Sequence, residues 1–536
     1  MIRNPILPGF NPDPSICRVG DDYYIATSTF EWFPGVQIHH SRDLVNWRLV
    51  RRPLERASQL DMRGNPDSCG IWAPCLSFAD GQFWLVYTDV KRLDGSFKDA
   101  HNYIVTATSI AGEWSDPVYV NSSGFDPSLF HDDDGRKWFM NMHWNHLPVA
   151  HGTVGGNTAF DGILLQEWDA ETKSLKGPIH NIYPGTDRGL VEGPHIFKKN
   201  GWYYLTTAEG GTGYDHAITM ARSRTITGPY ETHPDKHLLS AKGHGDAPLQ
   251  RTGHGQYFET PDGRPATTFL CGRPLSPLRR CTLGRETGLE ACVWKEDGWL
   301  YPLSGSPVAR LEVPELSGAQ KVDEPRAIEH VFDTPDLPDD FQWLRTPAPE
   351  RIFSLTDHPG RLRLFGRESI GSWFEQALVA RRQEHHCFRA ETVLEFSPDT
   401  YQQMAGLTHY YNRNKLFALA ATVDAELGRC LTILACAGDP SMKLSYPVGM
   451  GASVPDGPLH LALEVRDNDL RFFWKAEGAN DWQPIGPMLD AGVISDEGGL
   501  GEHCSFTGAF AGMFAFDMTG RGKPADFSRF LYQILD

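Results

Sequence analysis

The sequence predicts an all-β protein: a five-bladed β-propeller over residues 1–321, then a β-sandwich of concanavalin or jelly-roll type over residues 322–536. Three observations predict it. Short runs of aromatic and β-branched residues, broken by Gly, Asp, Asn and Pro, fill the whole chain, while helical periodicity is scarce. One kind of segment, a strand, a tight turn and a second strand, returns five times. A stretch rich in Pro and charge, Leu311 to Pro338, follows the last repeat and reads as a linker with a boundary near Val322.

The five repeats are NPDPSICRVGDDYYIA from Asn11, WAPCLSFADGQFWLVYTD from Trp72, FDPSLFHDDDGRKWFMN from Phe125, VEGPHIFKKNGWYYLTTA from Val191 and TGHGQYFETPDGRPATTFL from Thr252. Measured at Asp13, Ala73, Asp126, Glu192 and His254, they recur at intervals of 60, 53, 66 and 62 residues. These intervals exceed the roughly 40 to 50 residues of common propeller blades, which leaves room for two further strands per repeat. Four-stranded units repeated around an axis make a propeller. Beyond the linker, RLRLFG, FRAETVLEF, LHLALEVRDNDLRFFWKA and GAFAGMFAFDM alternate with turns, as sandwich strands do.

Length and charge agree with this division. A chain of 536 residues exceeds what one core serves, and no apolar run approaches the roughly 20 residues of a membrane helix. The formal charge of −18, with no basic stripe, excludes a nucleic-acid partner. Ten cysteines without a CxxC pair read as reduced thiols, and the N-terminus has no apolar stretch of signal-peptide length. The expected location is the cytoplasm.

In a propeller the innermost strands converge on the axis, so repeat-equivalent residues become neighbours. That position carries Asp13, Asp126 and Glu192 in three repeats, His254 in a fourth and Trp72-Ala73 in another. Clustered unpaired carboxylates cost several kcal/mol in a closed funnel unless protons, cations or ligands offset them. Three carboxylates among aromatic rings fit glycosidic bond hydrolysis, in which one ionised carboxylate and one carboxylic acid act on opposite sides of the bond. An ionised third carboxylate, Asp126, then keeps Glu192 protonated by like-charge repulsion.

At these residues the chain resembles glycoside hydrolase family 43, in particular the two-domain β-xylosidases that often also have α-L-arabinofuranosidase activity. The resemblance covers the whole chain. Its carriers are NPDPS with Asp13, TSTFEWFPGV from Thr27, HHSRDLVNW from His39, IWAP with Trp72, FDPSLFHDDDGRKW with Asp126, EGPHIFK with Glu192 and LGRET with Arg285. It implies an inverting exo-acting β-1,4-xylosidase that releases xylose from the non-reducing end of short xylooligosaccharides, with side activity on α-L-arabinofuranosides. Asp13 is then the general base, Glu192 the general acid and Asp126 the residue that tunes and orients the acid. Phe30, Trp72, Thr212, His254 and Arg285 line the pocket, and the sandwich segment HCSFTGAF brings Phe506 over its mouth. The same resemblance implies a homo-oligomer, dimer or tetramer, and no required cofactor, a calcium-like cation near His254 being the alternative.

Other signals read as structure. His131-Asp132-Asp133-Asp134-Gly135 sits where a hairpin turn belongs and lacks the alternating ligand spacing of a calcium loop. His39-His40 and His385-His386-Cys387 are strand neighbours facing opposite ways, a poor chelate. Glu209 to Gly213 precedes a strand, not a helix, and reads as a pocket-rim turn. A retaining hydrolase and a sugar-binding protein without catalysis are the competing readings.

Overall fold

The computed structural model describes every residue except 148–158, 315, 317, 440 and 500–504. Among the described residues the chain is strand and turn, with only single 3-10 turns at Pro349–Arg351 and Ala491–Val493. Five antiparallel sheets form the blades. The first strands of the blades are Ser15–Val19, Gly70–Ala79, Ser128–His131, Glu192–Lys199 and Gln250–Gly253, each at one edge of its sheet. The fifth blade also carries a short strand, Tyr257–Glu259, paired with Pro265–Gly272. The ring is closed beside it: Ile2–Arg3 pairs with Glu312–Val313, and Ile6 and Leu7 donate their N–H groups to Thr287 O of the fifth blade.

The sandwich has two eight-stranded sheets. One is centred on Cys387–Glu395 and Pro524–Ile534, the other on Gln403–Asn412 and Phe510–Asp517. The second sheet ends on a strand from the other domain: Trp32–Phe33, from the first repeat's TSTFEWFPGV, pairs with Phe341–Leu344. The boundary drawn near Val322 therefore separates the sequence more cleanly than it separates the sheets. Alternation explains why the segment crosses. Trp32 and Phe33 face opposite ways and both are buried, Trp32 stacked on Phe510 at 3.8 Å between centroids and Phe33 tilted against Trp343 at 5.5 Å. Burying a Trp of roughly 200 Å² at about 25 cal/mol per Å² stabilises this junction by about 5 kcal/mol. One apolar cluster accordingly runs from Val36, Ile38 and Leu60 of the propeller into Val379, Leu407 and Met513 of the sandwich.

The segments read as structure behave so. Gly135 N–H closes a turn on Asp132 O, and His40 spends its Nε2 on Asp22 Oδ1 at 2.7 Å. Ala217–Ser223, after Glu209 to Gly213, is a strand. Nine cysteines are free thiols; Cys504, like His503 of the HCSFTGAF segment, lies outside the described residues.

Candidate active site

In or beside each first blade strand stands one residue in the left-handed backbone region: Asp13 (φ 56°) and Asp126 (55°) just before it, Ala73 (36°) and Gly193 (56°) within it, and His254 (41°) just after it. Pro follows in four blades and Gly in the fifth, and the ladder register slips beside Ala73, Gly193 and in the Gln250–Gly253 strand. Such a bulge re-aims a side chain at a strand end. It also corrects the alignment expected from sequence. The residue equivalent to Asp13 and Asp126 in the fourth blade is Gly193, and Glu192 stands one position earlier, level with Trp72 and Phe125. Blade four has no room for a side chain at the left-handed position, because a Cβ on Gly193 would lie 2.8 Å from His254 Nε2. The acid therefore enters the pocket from the neighbouring position, as the Trp72 and Phe125 rings do.

All nine residues singled out from the sequence, Asp13, Phe30, Trp72, Asp126, Glu192, Thr212, His254, Arg285 and Phe506, line one cavity of about 230 Å³. Phe30, Trp72 and Phe506 form an aromatic wall with ring centroids 5.8 to 6.4 Å apart. Arg285, placed by LGRET ahead of the third long strand of blade five, ties the parts together. Its Nη1 lies 3.4 Å from Asp13 Oδ1, its Nε and Nη2 donate to Phe506 O at 3.2 and 2.7 Å, and its guanidinium lies 5.1 Å from the Phe30 ring.

The three carboxyl groups are buried, with 5, 7 and 8% of Asp13, Asp126 and Glu192 exposed, so their neighbours decide their charge. Burial pushes Asp13 upward, but the Arg285 charge, His254 Nδ1 at 3.4 Å and the Ser28 hydroxyl at 2.7 Å outweigh it and hold the group well below the usual carboxylate range. Asp126 is pushed up to about 6, by burial and by Asp13, against the opposing charges of His254 and Arg285. Glu192 rises well above its ordinary value through burial and then through the negative charges of Asp126 and Asp13. His254 is itself raised, because its contacts with Asp13 outweigh burial. One lining thus lowers the Asp13 carboxyl group and raises that of Glu192.

The sandwich builds one side of this pocket. Ser68 (φ 61°) receives the Phe506 N–H on its Oγ at 3.0 Å and the Trp72 indole N–H on its carbonyl at 2.9 Å, while its own N–H donates to buried Glu31 at 3.1 Å. Arg251 donates to Thr212 O at 2.8 Å and pairs with Asp496 at 2.6 Å. The Tyr411 hydroxyl donates to Asp496 and accepts the Thr507 N–H at 2.9 Å. Phe506 is thereby fixed from both flanks.

Sequence reasoning missed Leu93, Lys98, Phe125, Trp144 and Phe160, whereas Gly211 belongs to the turn read as pocket rim. Phe125 was recoverable, since it precedes Asp126 as Glu192 precedes Gly193. Lys98 lies between strands of the second blade, with Nζ 4.3 Å from the Trp144 ring, and opposes the rise of Glu192; nothing in the repeat marks it. Among the described residues no group of three His, Cys, Asp or Glu is arranged to hold a metal ion. The guanidinium on Asp13 puts fixed positive charge where a cation beside His254 would need a carboxylate, so this donor set does not fit calcium.

The model for glycosyl hydrolases family 43 matches residues 2–300, and that for the β-xylosidase C-terminal concanavalin A-like domain matches residues 329–533. A xylosidase/arabinosidase 43B of Humicola insolens is 58% identical, with 99% of this chain and 97% of that protein covered. A xylan 1,3-β-xylosidase of a Vibrio species is 43% identical, with 99% of each covered. The crystal structure of a xylan β-1,4-xylosidase from Bacillus halodurans superimposes with a TM-score of 0.94 at 49% identity, over 99% of this chain and all of that one.

Proposed function

Since the chain belongs to glycosyl hydrolase family 43, we propose that it is an inverting exo-β-xylosidase that takes single xylose units from short xylooligosaccharides, with Asp13 as base and Glu192 as acid. The observation that carries this reading is that two buried carboxyl groups line one small pocket in opposite surroundings, Asp13 held low beside Arg285, His254 and Ser28 and Glu192 pushed up by burial and its acidic neighbours. Water beside Asp13 gives it a proton while attacking the anomeric carbon. Glu192 gives its proton to the glycosidic oxygen as the bond breaks, and the sugar leaves with inverted configuration. Both groups return to their starting states by exchange with solvent. Asp126 holds Glu192 protonated, Arg285 holds Asp13 ionised, and the aromatic wall stacks on the sugar.

A cavity of about 230 Å³ walled on one side by Phe506 suits one terminal ring, which supports exo action. The name of the Humicola relative supports a second activity on α-L-arabinofuranosides. The Bacillus and Vibrio relatives are named for different xylan linkages, and we take β-1,4 from the higher identity of the former. Rates on 1,4- and 1,3-linked xylobiose test that choice. The free thiols support the cytoplasm as the working location. The enzyme is a homo-oligomer, which light scattering at micromolar concentration tests, and it needs no added cofactor.

The mechanism is tested with Glu192→Ala, which should spare aryl xylosides with good leaving groups far more than xylobiose, because only the latter needs a proton on the departing oxygen. Equal losses on both substrates would remove Glu192 from the role of acid. Proton NMR of the first product should show α-xylose; β-xylose would mean retention, with Asp13 as nucleophile.

A further inference from the structure

A second cavity, of about 300 Å³, lies on the seam between propeller and sandwich and shares no residue with the first. Its lining includes His39 and Arg52 of the first blade, Arg381 and Arg382 of the sandwich, and linker residues from Lys321 to Ile328. Arg382 is 5% exposed. Its hydrogen bond is to a neutral acceptor, Nε to Phe10 O at 2.7 Å, and its Nη2 has no partner among the described residues. Arg52 also bonds only neutral oxygens, Gln37 Oε1 at 2.7 and 3.0 Å, Asp339 O at 2.8 Å and Phe341 O at 3.4 Å. His39 Nδ1 is buried without a partner, and the positive charges of Arg382 and Arg52 reinforce burial in keeping that ring neutral.

The carboxylates of the cavity are committed elsewhere. Glu384 pairs with Arg381 at 2.8 Å, Asp340 with His330 at 2.9 Å and Arg381 at 3.4 Å, and Glu324 with Lys321 at 2.8 Å. The side chain of Asp339 is at the exposed rim. Two guanidinium groups therefore face a polar cavity with no carboxylate bonded to either, Asp339 and Asp340 offsetting Arg52 and Glu384 and Asp340 offsetting Arg382 only at longer range. Burial that is offset so incompletely is costly unless an anion enters. A planar N–H fork is suited to two oxygens of one anion.

We propose that this cavity binds a small oxyanion, a carboxylate or phosphate in class, between Arg382 and Arg52 with His39 beside it. The site is independent of the hydrolase reading. It adjoins the pocket through Phe10, whose carbonyl Arg382 holds and whose ring lies 5.8 Å from Phe30, so occupancy tightens the seam that carries the aromatic wall.

The test is thermal unfolding of the full chain in a zwitterionic buffer at pH 7, with sodium malonate or sodium phosphate compared with sodium chloride at matched ionic strength. A bound anion raises Tm by about 2 to 3 °C near saturation. The larger of the malonate and phosphate responses identifies the ligand chemistry. Arg382→Met and Arg52→Gln should both lose the rise, and the latter, at a half-buried position, serves if the former does not fold. No rise above chloride in the wild type, or a rise that survives in the variants, overturns the proposal.

Discussion

Replacing Gly193 by Ala adds one methyl group at the point where the blade geometry and the charge of the base meet. At φ 56° an L side chain is strained by about 1 to 2 kcal/mol. The new Cβ would lie 2.8, 2.9 and 3.1 Å from three atoms of the His254 ring, and such overpacking costs about 1 to 3 kcal/mol more or moves the ring. The ring is the easier part to move, and moving it takes Nδ1 away from Asp13 Oδ1, now at 3.4 Å. His254 is among the groups that hold Asp13 low, so the Asp13 pKa rises in the variant. The base works ionised. Activity is therefore present above its pKa and lost as pH falls through it; because His254 also holds down Asp126, the higher of the two at about 6, the acid limb of kcat/KM that the assay reads moves to higher pH through both groups. If the lost contact is worth about 1.4 kcal/mol, the limb moves by about one pH unit. The assay is a pH profile of kcat/KM on an aryl xyloside, with circular dichroism to confirm the fold. A folded variant whose acid limb coincides with wild type would refute the coupling of Gly193, His254 and Asp13.

Three further outcomes follow from the supports of the pocket. Ser68→Ala removes the acceptor of the Phe506 N–H, worth about 1 kcal/mol, so KM should rise about fivefold with kcat within twofold; a fall in kcat at constant KM would contradict a positioning role. Tyr411→Phe strips both Asp496 and the Thr507 N–H of a buried partner, costing about 2 to 4 kcal/mol; Tm should fall and KM rise together, and a drop in Tm alone would mean that this strut does not position Phe506. Burial pushes the Glu31 carboxyl up to about 8, against Arg345 and with Asp67 adding to the rise, so the folded state holds this proton where the unfolded chain has released it. Its stability contribution is full below about 4.5 and is lost as pH rises to about 8. Glu31→Gln should accordingly gain Tm over wild type at pH 9 but not at pH 4.5, and an equal difference at both would refute the assignment.

Repeats and strand periodicity were legible because they are local. NPDPS, FDPS and EGPH each encode a left-handed turn followed by Pro, and five copies at near-regular spacing are enough to infer an axis and a converging set of carboxylates. Phe506 and Arg285, by contrast, were identified from LGRET and HCSFTGAF, motifs whose meaning comes from resemblance and not from spacing. The one-residue offset of Glu192 escaped the alignment because matching by chemistry put acid on acid, whereas the backbone aligned Gly193 with Asp13.

The sequence by itself determined the all-β class, the five repeats, the sandwich and which carboxylates share an axis, since period-2 patterning and turn residues act over a few positions. Only the tertiary structure decided which neighbours set the charge of each carboxyl group, that Trp32 and Phe33 belong to the sandwich sheet, and that Ser68, Tyr411 and Arg251 hold the aromatic wall. Those features depend on burial and on partners up to 438 residues away, as Ser68 and Phe506 are. A desolvated group takes its properties from whatever packs against it, and no local pattern records that neighbour.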